Sequence, residues 1–375
     1  MLEKVLELEK ALNSLFLERE DEVRGIILSL MCREHCLFIG PPGTAKSALV
    51  EAAAKMSGLT YFRALVTKFT TPDELFGPPD LAALERGEYQ RRTAGMLPEA
   101  EVVFLDEIFK ASPSILNTLL SIMQERLFRN GMMYSTPLVS MFGASNEVPE
   151  GEEDIALAAF QDRFLLKYSV KPIKDSNSFI KLLMMDEPTE NLTLINVSWK
   201  EIFREMDGIK VHDDIYTAIY EIKKKLAEEE NSFPISDRRW KKCIKLLKAH
   251  ALLEKRSEVI EDDFEVLVHA LWDPALPETK KTVQKVIQRI TDPISIKLNE
   301  LIQAAEEAAN QALSAPPDKE ADLGLEAIKS LKRIMMEIDS ISVSVPKKQA
   351  KIDAAKAKIT ELQKQVGAKC LGLAL

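Results

Sequence analysis

The sequence contains a run of residue types suited to binding phosphate, GPPGTAKS at residues 40–47. Residues 36–39 before it are apolar and predict a buried strand, and residues 48–55 after it predict a helix. A glycine-rich loop between a strand and a helix points backbone N–H groups at phosphates. Lys46 is expected to reach the β- and γ-phosphates and Ser47 to hold Mg²⁺. The predicted cradle comprises Gly40, Pro41, Pro42, Gly43, Thr44, Ala45, Lys46, Ser47 and Ala48.

Two carboxylates follow a second apolar run, EVVFL at residues 101–105. Near-continuous Val, Phe and Leu are typical of a strand that is buried on both faces. Asp106 and Glu107 then lie at its carboxyl end, where open α/β sheets bind ligands. Asp106 is expected to join Ser47 around the metal, and Glu107 to polarise an attacking water. Together with the loop, this pair predicts an ATPase site.

One loop position departs from the usual pattern, because Ala45 stands where a glycine is common. Alanine adds a single methyl group, so we expect the loop to form.

Further polar residues narrow the chemistry. Asn146 follows a fourth predicted strand and is a candidate to orient water at the γ-phosphate; a simple turn asparagine is the alternative. Arg163 precedes the fifth strand and is a candidate arginine finger for a neighbouring subunit, with a surface ion pair to Asp162 as the alternative. Arg238 and Arg239 begin a later helix, and either guanidinium could reach the phosphates; spacing does not separate them.

Composition bounds the class of protein. The 375 residues carry a net charge of −9, which argues mildly against a nucleic-acid-binding main surface. Four cysteines and four histidines form no metal-ligand spacing, so no zinc site or disulfide framework is expected. Idle thiols are typical of a reducing cytosol, and no apolar stretch is long enough to span a bilayer. We therefore expect a cytoplasmic protein without a membrane span.

Residues 1–185 alternate between strand-like and helix-like segments, the pattern of a parallel sheet covered on both faces. Five strands are predicted, at residues 36–39, 61–65, 102–106, 138–144 and 164–168. A helix from Ser112 and Pro113 is expected to bury Ile115, Leu116, Leu119, Leu120 and Met123.

Two shorter segments interrupt this alternation. Asn130-Gly131 predicts a hairpin turn, and residues 84–89 predict a second, weaker hairpin.

The rest of the chain is expected to be helical. Residues 186–275 predict a second domain that carries Arg238, and the prolines near 274–277 mark a boundary. Residues 276–375 predict three helical stretches split near Pro316 and Pro346, with Pro293 kinking or dividing the first. Their apolar seams are Leu325, Ile328, Leu331, Met335 and Ile338, then Ile352, Ala355, Ile359, Leu362 and Val366.

The order of these motifs resembles one family. GPPGTAKS, VVFLDEI, GASNEVP, FQDRF and ISDRRW are similar to the motifs of AAA+ ATPases, and specifically of the MoxR family near its RavA branch. The similarity covers about residues 1–275. It implies an α/β P-loop core at 1–185, an all-α lid at 186–275 and a C-terminal helical bundle or arm at 276–375. The family has Ala before the P-loop lysine, which agrees with Ala45.

The resemblance implies roles for particular residues. Lys46 and Ser47 match Walker A, Asp106 and Glu107 Walker B, Asn146 sensor 1, and Arg163 the arginine finger. Arg238 matches sensor 2, with Arg239 as the alternative nucleotide contact. The excursions near 80–95 and 126–137 resemble the helix-2 insertion and the pre-sensor-1 hairpin, which face a ring's pore.

The resemblance also implies an activity and partners: a hexameric, chaperone-like machine that hydrolyses ATP with Mg²⁺ and acts on protein complexes, often beside a von Willebrand factor A domain protein. RavA-type chains carry a β-rich module that binds a lysine decarboxylase, whereas residues 276–375 read as helices throughout, so that partner is not carried over. Two alternatives remain open. One is a nucleotide-switched scaffold acting through the tail; the other, less favoured, is a nucleic-acid motor that would use Lys223–Lys225 and Lys241, Lys242, Lys245 and Lys248.

Overall fold

The computed structural model describes residues 1–147, 157, 160–185, 192–230, 232–316, 319–341 and 346–371. They form two compact units, residues 1–284 and 285–375. Within these ranges no helix is both long and apolar enough to cross a bilayer.

A five-stranded parallel sheet forms the centre of the first unit. Its strands are β1 (His35–Ile39), β2 (Tyr61–Leu65), β3 (Val102–Asp106), β6 (Ser140–Ser145) and β7 (Phe164–Ser169), in the order β2-β3-β6-β1-β7. The five predicted strands are thus confirmed, within two residues at each end. Because every pairing is parallel, the carboxyl ends of β1, β3 and β6 meet at one edge, with β6 in the middle.

Helices cover both faces of the sheet. They are α1 (Leu2–Leu15), α2 (Glu20–Cys32), α3 (Lys46–Ser57), α4 (Pro72–Phe76), α5 (Leu81–Glu85) and α6 (Pro113–Glu125). Leu37 and Val103 pack with Ile115 of α6 on one face. On the other face Phe38 packs against Tyr168, whose ring lies so close to α2 that a Cβ at Gly25 would be 2.4 Å from it.

The predicted helix at Ser112 is confirmed as α6, with Pro113 in its first turn. Ser112 occupies the N-cap position but makes no side-chain capping bond, and Leu120 is only partly buried.

The two excursions differ in outcome. The hairpin is confirmed as β4 (Leu127–Asn130) and β5 (Met132–Ser135), with Gly131 at a positive φ of 73°. The second predicted hairpin is wrong, because its first residues lie in α5. Asp80 accepts a hydrogen bond from the N–H of Ala82 and so starts a short helix, and only a single bridge, Pro79 to Arg91, closes the loop.

The remainder of the first unit is helical. It contains α7 (Ser176–Met184), α8 (Trp199–Asp207), α9 (Asp213–Glu228), α10 (Asp237–Leu253) and a 3₁₀ segment, Glu261–His269. α11 (Glu278–Thr291) includes the boundary between the units. The division into domains at 185/186 and 275/276 stays a prediction.

The second unit contains α12 (Pro293–Leu313), α13 (Glu320–Asp339) and α14 (Pro346–Leu371), which share one apolar core. A helix ends at Thr291 and the next begins at Pro293, so the division expected at this proline is confirmed. The α14 seam is also confirmed, with Leu362 only partly buried. In α13 the prediction is wrong at Leu325, which is 50% exposed, because the buried stripe runs through Ala327, Leu331, Ile334 and Ile338.

Candidate nucleotide site

The loop at residues 40–47 connects the carboxyl end of β1 to the first turn of α3, as expected. Gly40 is required because a Cβ there would lie 2.1 Å from the Val170 carbonyl oxygen. Gly43 and Ala45 both have positive φ, 76° and 63°. The loop therefore forms with alanine at position 45, in a backbone conformation that costs a non-glycine residue about 1–2 kcal/mol.

Lys46 is buried beneath this loop. Its Nζ donates to the carbonyl oxygens of Gly40 and Pro41, each at 2.8 Å, and the Thr44 hydroxyl also donates to Pro41, at 3.0 Å. Burial lowers the pKa of Lys46, and the nearby carboxylates of Asp106 and Glu107 oppose that shift. The ammonium group is thus held among oxygen atoms near the carboxylates of Asp106 and Glu107.

The acids come together with Asn146 at the same edge of the sheet. Asn146 Nδ2 donates to Glu107 Oε1 at 2.5 Å, and Lys110 Nζ lies 3.3 Å from Glu107 Oε2. The N–H of Glu107 donates to Asp106 Oδ1 at 3.1 Å, and Glu107 itself has a positive φ of 55°. Each oxygen of the Glu107 carboxylate therefore has one polar partner that fixes its direction. Lys110 was not foreseen from the sequence, although it lies three residues after Glu107.

Arg163 lies at the other end of the sheet. Phe164 pairs with His35 at the start of β1, whereas Gly40 follows the end of β1. Five residues of strand separate the two positions, roughly 17 Å. That distance exceeds the length of an arginine side chain, so Arg163 lies out of reach of the loop of its own subunit. Its guanidinium lies against the Gln124 amide and 3.8 Å from Asp162.

Arg238 shares this end of the sheet. Arg238 is exposed in the first turn of α10. Burial lowers the pKa of Arg163, and the nearby positive charge of Arg238 lowers it further. The adjoining Ser236 hydroxyl donates to Asp162 at 3.3 Å, which fixes this turn beside Arg163. The structure thus brings Arg163 and Arg238 together but separates both of them from the loop.

Arg239, the alternative nucleotide contact, makes all of its hydrogen bonds within the protein. Its guanidinium is buried and donates to Asp162 Oδ1 and to the backbone carbonyls of Asp162, Phe164, Leu165 and Ala270, at 2.8–3.1 Å. All five N–H groups of an arginine have partners. The expectation that Arg239 could bind nucleotide is therefore wrong, because no donor remains for a phosphate.

An apolar cavity of about 510 Å³ adjoins the loop. Apart from Arg19 and the loop residues 41–45, its lining is apolar: Leu15, Phe16, Leu17, Pro172, Ile173, Phe179, Leu182 and Met185. This volume lies in the range of small-molecule sites. Sequence reasoning missed the cavity, because its walls come from segments far apart in the chain and none has a recognisable spacing.

The turn at residues 18–19 connects the cavity to its surroundings. The Glu18 carboxylate accepts the N–H groups of Lys174 and Asp175, both at 2.9 Å, and these bonds lower its pKa. Arg19 donates from Nε to the Thr44 carbonyl at 3.3 Å. This turn therefore joins the phosphate loop to the segment that leads into α7.

A family model described as the MoxR domain in the MoxR-vWA-beta-propeller ternary systems matches residues 3–196, more than half of the chain. The chain belongs to the MoxR family of AAA+ ATPases. An AAA lid domain model matches residues 214–287 of this MoxR-family protein.

Individual relatives agree with this assignment. Uncharacterized protein MJ0812 of Methanocaldococcus jannaschii is 38% identical over 92% of this chain and 90% of its own length. Uncharacterized protein MJ0079 of the same organism is 42% identical over 78% of this chain and 76% of its own. Chaperone MoxR1 of Mycobacterium tuberculosis is 29% identical over 40% of this chain and 39% of its own.

A solved structure supports the fold. A candidate ATPase from Cytophaga hutchinsonii superposes with a TM-score of 0.63 at 18% identity, over 77% of this chain and 94% of that one. The α/β fold with a five-stranded parallel AAA+ core is thus confirmed.

Proposed function

We propose that this MoxR-family protein hydrolyses ATP with Mg²⁺ and uses the energy to remodel protein complexes as a ring of subunits. The observation that carries the proposal is the meeting of Lys46, Asp106, Glu107 and Asn146 at one edge of the sheet, next to a cavity of about 510 Å³. The direct bond between Asn146 and Glu107 supports sensor 1 and Walker B roles for the two residues. The lysine that cradles phosphate lies close enough for both acids to influence its pKa.

The metal fits the oxygen donors that are available. Ser47 and Asp106 offer a hydroxyl and a carboxylate, and Mg²⁺ in nucleotide sites takes one or two protein ligands together with substrate phosphates. Among the described residues, no cluster of three or more His, Cys, Asp or Glu could hold a metal without such phosphates. When bound, the ion would neutralise charge on the phosphates.

The residues of the chain then have separate tasks in hydrolysis. Lys46 stabilises negative charge on the β- and γ-phosphates, and Gly43 and its neighbours supply backbone N–H groups. Glu107 accepts a hydrogen bond from the attacking water, while Asn146 and Lys110 keep the carboxylate oriented. Asn146, bonded to Glu107 Oε1, lies where its amide would also orient the attacking water beside the γ-phosphate.

The test compares variants that separate binding from turnover. Glu107→Gln is expected to retain ATP affinity and lose steady-state phosphate release by at least about a hundredfold, since general-base contributions are typically 10²–10⁴. Lys46→Ala is expected to lose binding as well. The matched control is Glu7→Gln on the exposed side of α1. Unchanged turnover in Glu107→Gln would refute the assignment.

A second subunit is needed to supply the arginines. The distance between Arg163 and its own loop supports a role for Arg163 and Arg238 in a neighbour's site, where a finger contributes about 10³–10⁵ in rate. The five hydrogen bonds that Arg239 makes within the chain support Arg238 as the sensor 2 residue.

Mixing two inactive variants tests this arrangement. Arg163→Ala subunits and Glu107→Gln subunits are each expected to be inactive, whereas a mixture forms some sites with intact residues from both partners and regains activity. Arg204→Ala, an exposed arginine on α8, serves as the control. Absence of recovery in mixed assemblies of verified composition would contradict action between subunits.

We propose that the β4–β5 hairpin and the segment at residues 80–95 contact protein substrates. Asn130 joins them through its side chain, which accepts the Arg91 N–H at 2.6 Å and donates to the Arg91 carbonyl at 3.0 Å. Phe128 of the hairpin also packs on Phe76 of α4. Met132 and Met133 at the tip are exposed, and methionine adapts to varied apolar partners. These features support a shared contact surface for protein substrates.

Partners and location follow the family and stay proposals. The matching family description names a vWA component, which supports a partner with that domain. A hexameric ring, the RavA branch and a cytoplasmic location remain predictions.

The nucleic-acid alternative loses support. Lys223 pairs with Asp237 at 2.7 Å, and Lys242 and Lys245 pair with Glu34 at 2.5 and 3.8 Å. Three of the lysines that favoured it therefore pair with carboxylates within the chain, and Lys242 and Lys245 share one of them.

A further inference from the structure

The cavity beside the loop contains one charged side chain, that of Arg19. This residue is the N-cap of α2 and is only 7% exposed. Burying a cation is costly unless it has a charged or hydrogen-bonding partner. The hydrogen-bond partners of Arg19 therefore indicate whether the protein itself stabilises this buried cation.

Arg19 uses few of its donors within the protein. Nη1 donates to the Glu18 carbonyl at 2.6 Å, and Nε donates to the Thr44 carbonyl at 3.3 Å. Three N–H groups have no hydrogen-bond partner in the part of the chain that the structure describes, and no carboxylate there lies within ion-pair distance. Arg24 on the same helix is different, because it pairs with Glu9 at 3.0 Å.

The position of Arg19 defines which part of a nucleotide it could meet. The cavity is lined by the loop and by apolar side chains such as Phe16 and Phe179, but not by Asp106, Glu107 or Asn146. The γ-phosphate belongs beside those three residues, so the cavity is suited to the nucleoside end. A guanidinium between the loop and the apolar walls lies where the phosphate chain meets the nucleoside.

We infer that Arg19 binds the α-phosphate of the nucleotide, as a second cation of the same subunit beside Lys46. A guanidinium forms paired hydrogen bonds with phosphate oxygens, and an anion there would satisfy the donors that the protein leaves open. Burial is the main cause of the lowered pKa of Lys46, and the Arg19 cation adds to that shift. This inference deepens the proposed nucleotide site and rests on it.

The experiment measures binding of ATP, ADP, AMP and adenosine to the full chain by calorimetry. Arg19→Gln removes the charge but keeps an amide that can donate to the Thr44 carbonyl. We expect affinity for ATP, ADP and AMP to fall by a similar factor, about ten- to a hundredfold, because charged hydrogen bonds contribute on that scale. Adenosine, which lacks phosphate, should bind as it does to the unaltered chain.

Two further variants separate this role from others. Lys46→Ala should weaken ATP and ADP far more than AMP, because AMP has no β-phosphate. Arg24→Gln, the charge-matched control on α2, should change none of the four affinities. If Arg19→Gln does not fold, as judged by circular dichroism, Arg19→Lys carries the test, and weakening of AMP relative to adenosine supports the inference.

The outcomes are distinct. Equal losses for adenosine and AMP would overturn the inference, because Arg19 would then act on the nucleoside or on the shape of the pocket. Unchanged AMP affinity in a folded Arg19→Gln protein would overturn it as well. Failure of the unaltered chain to bind ATP or ADP would instead refute the proposed function.

Discussion

Replacing Arg239 with lysine separates a structural role from a nucleotide-binding role. The variant keeps the positive charge but loses the planar group that reaches Asp162 and four backbone carbonyls at once. A lysine ammonium has three N–H groups on one atom, so at least two of the five hydrogen bonds are lost.

The magnitude follows from those bonds. Each contributes about 0.5–1.5 kcal/mol, and a buried carbonyl left without a partner costs about 1–3 kcal/mol. Arg239→Lys should therefore reduce the free energy of unfolding by about 3–5 kcal/mol, in the range measured for breaking buried ion pairs. Nucleotide affinity of the folded fraction should not change.

The assay is urea unfolding followed by far-ultraviolet circular dichroism, with ATP titration of the native protein at low temperature. Arg238→Lys is the matched control, because Arg238 is exposed one residue earlier and its replacement should change stability by less than about 0.5 kcal/mol. An Arg239→Lys protein of normal stability that no longer binds ATP would refute the reasoning and restore Arg239 as a phosphate contact.

Two further predictions concern other parts of the chain. Burial, together with the charge of Lys280, lowers the pKa of His269 to about 3 from its ordinary value of about 6.5. Below pH 6.5 this histidine therefore binds a proton more readily in the unfolded chain than in the folded one. Stability should therefore fall as pH decreases from 6.5, by up to about 1.4 kcal/mol per pH unit from this group, and His269→Phe, which can keep the stacking on Tyr168, should flatten the profile of unfolding against pH. Equal slopes in both proteins would contradict this. In the helical unit, Ile359→Ala should destabilise the bundle by about 2–5 kcal/mol in thermal melts, whereas Leu325→Ala, at a half-exposed position, should cost far less, and similar losses would show that the buried stripe is misassigned.

Much of the candidate site at the carboxyl ends of β1, β3 and β6 could be predicted because it depends on local sequence patterns. A strand, a glycine loop and a helix are adjacent in sequence, and the apolar run before Asp106 can only be a buried strand or a helix. The hairpin was found because Asn130-Gly131 favours a positive φ at Gly131, where the structure has 73°. The weaker hairpin is wrong because Asp80 caps a short helix, a local signal that outweighs the turn preference of the glycine at position 87.

The choice between the two arginines could have been made from periodicity. Arg239, Cys243 and Leu246 repeat at spacings of four and three residues and are buried, whereas Arg238, Lys242 and Lys245 form the neighbouring polar stripe. Arg19 had no such signal. Its burial depends on contact with a loop that follows 25 residues later, and only the folded chain brings the two together.

In the proposed nucleotide site, the corner formed by Glu18 and Arg19 would give the amino-terminal helices a part in nucleotide binding. A shortened chain that begins at β1 would retain every Walker residue and both sensors. It would nevertheless lack the hydrogen bond from Lys174 to the Glu18 carboxylate and the bond from Arg19 to the Thr44 carbonyl. It would also lack the side of the cavity that is lined by Leu15, Phe16 and Leu17. If the proposed site is correct, the smallest fragment that binds nucleotide must start upstream of the first recognisable motif and include Leu15 to Arg19.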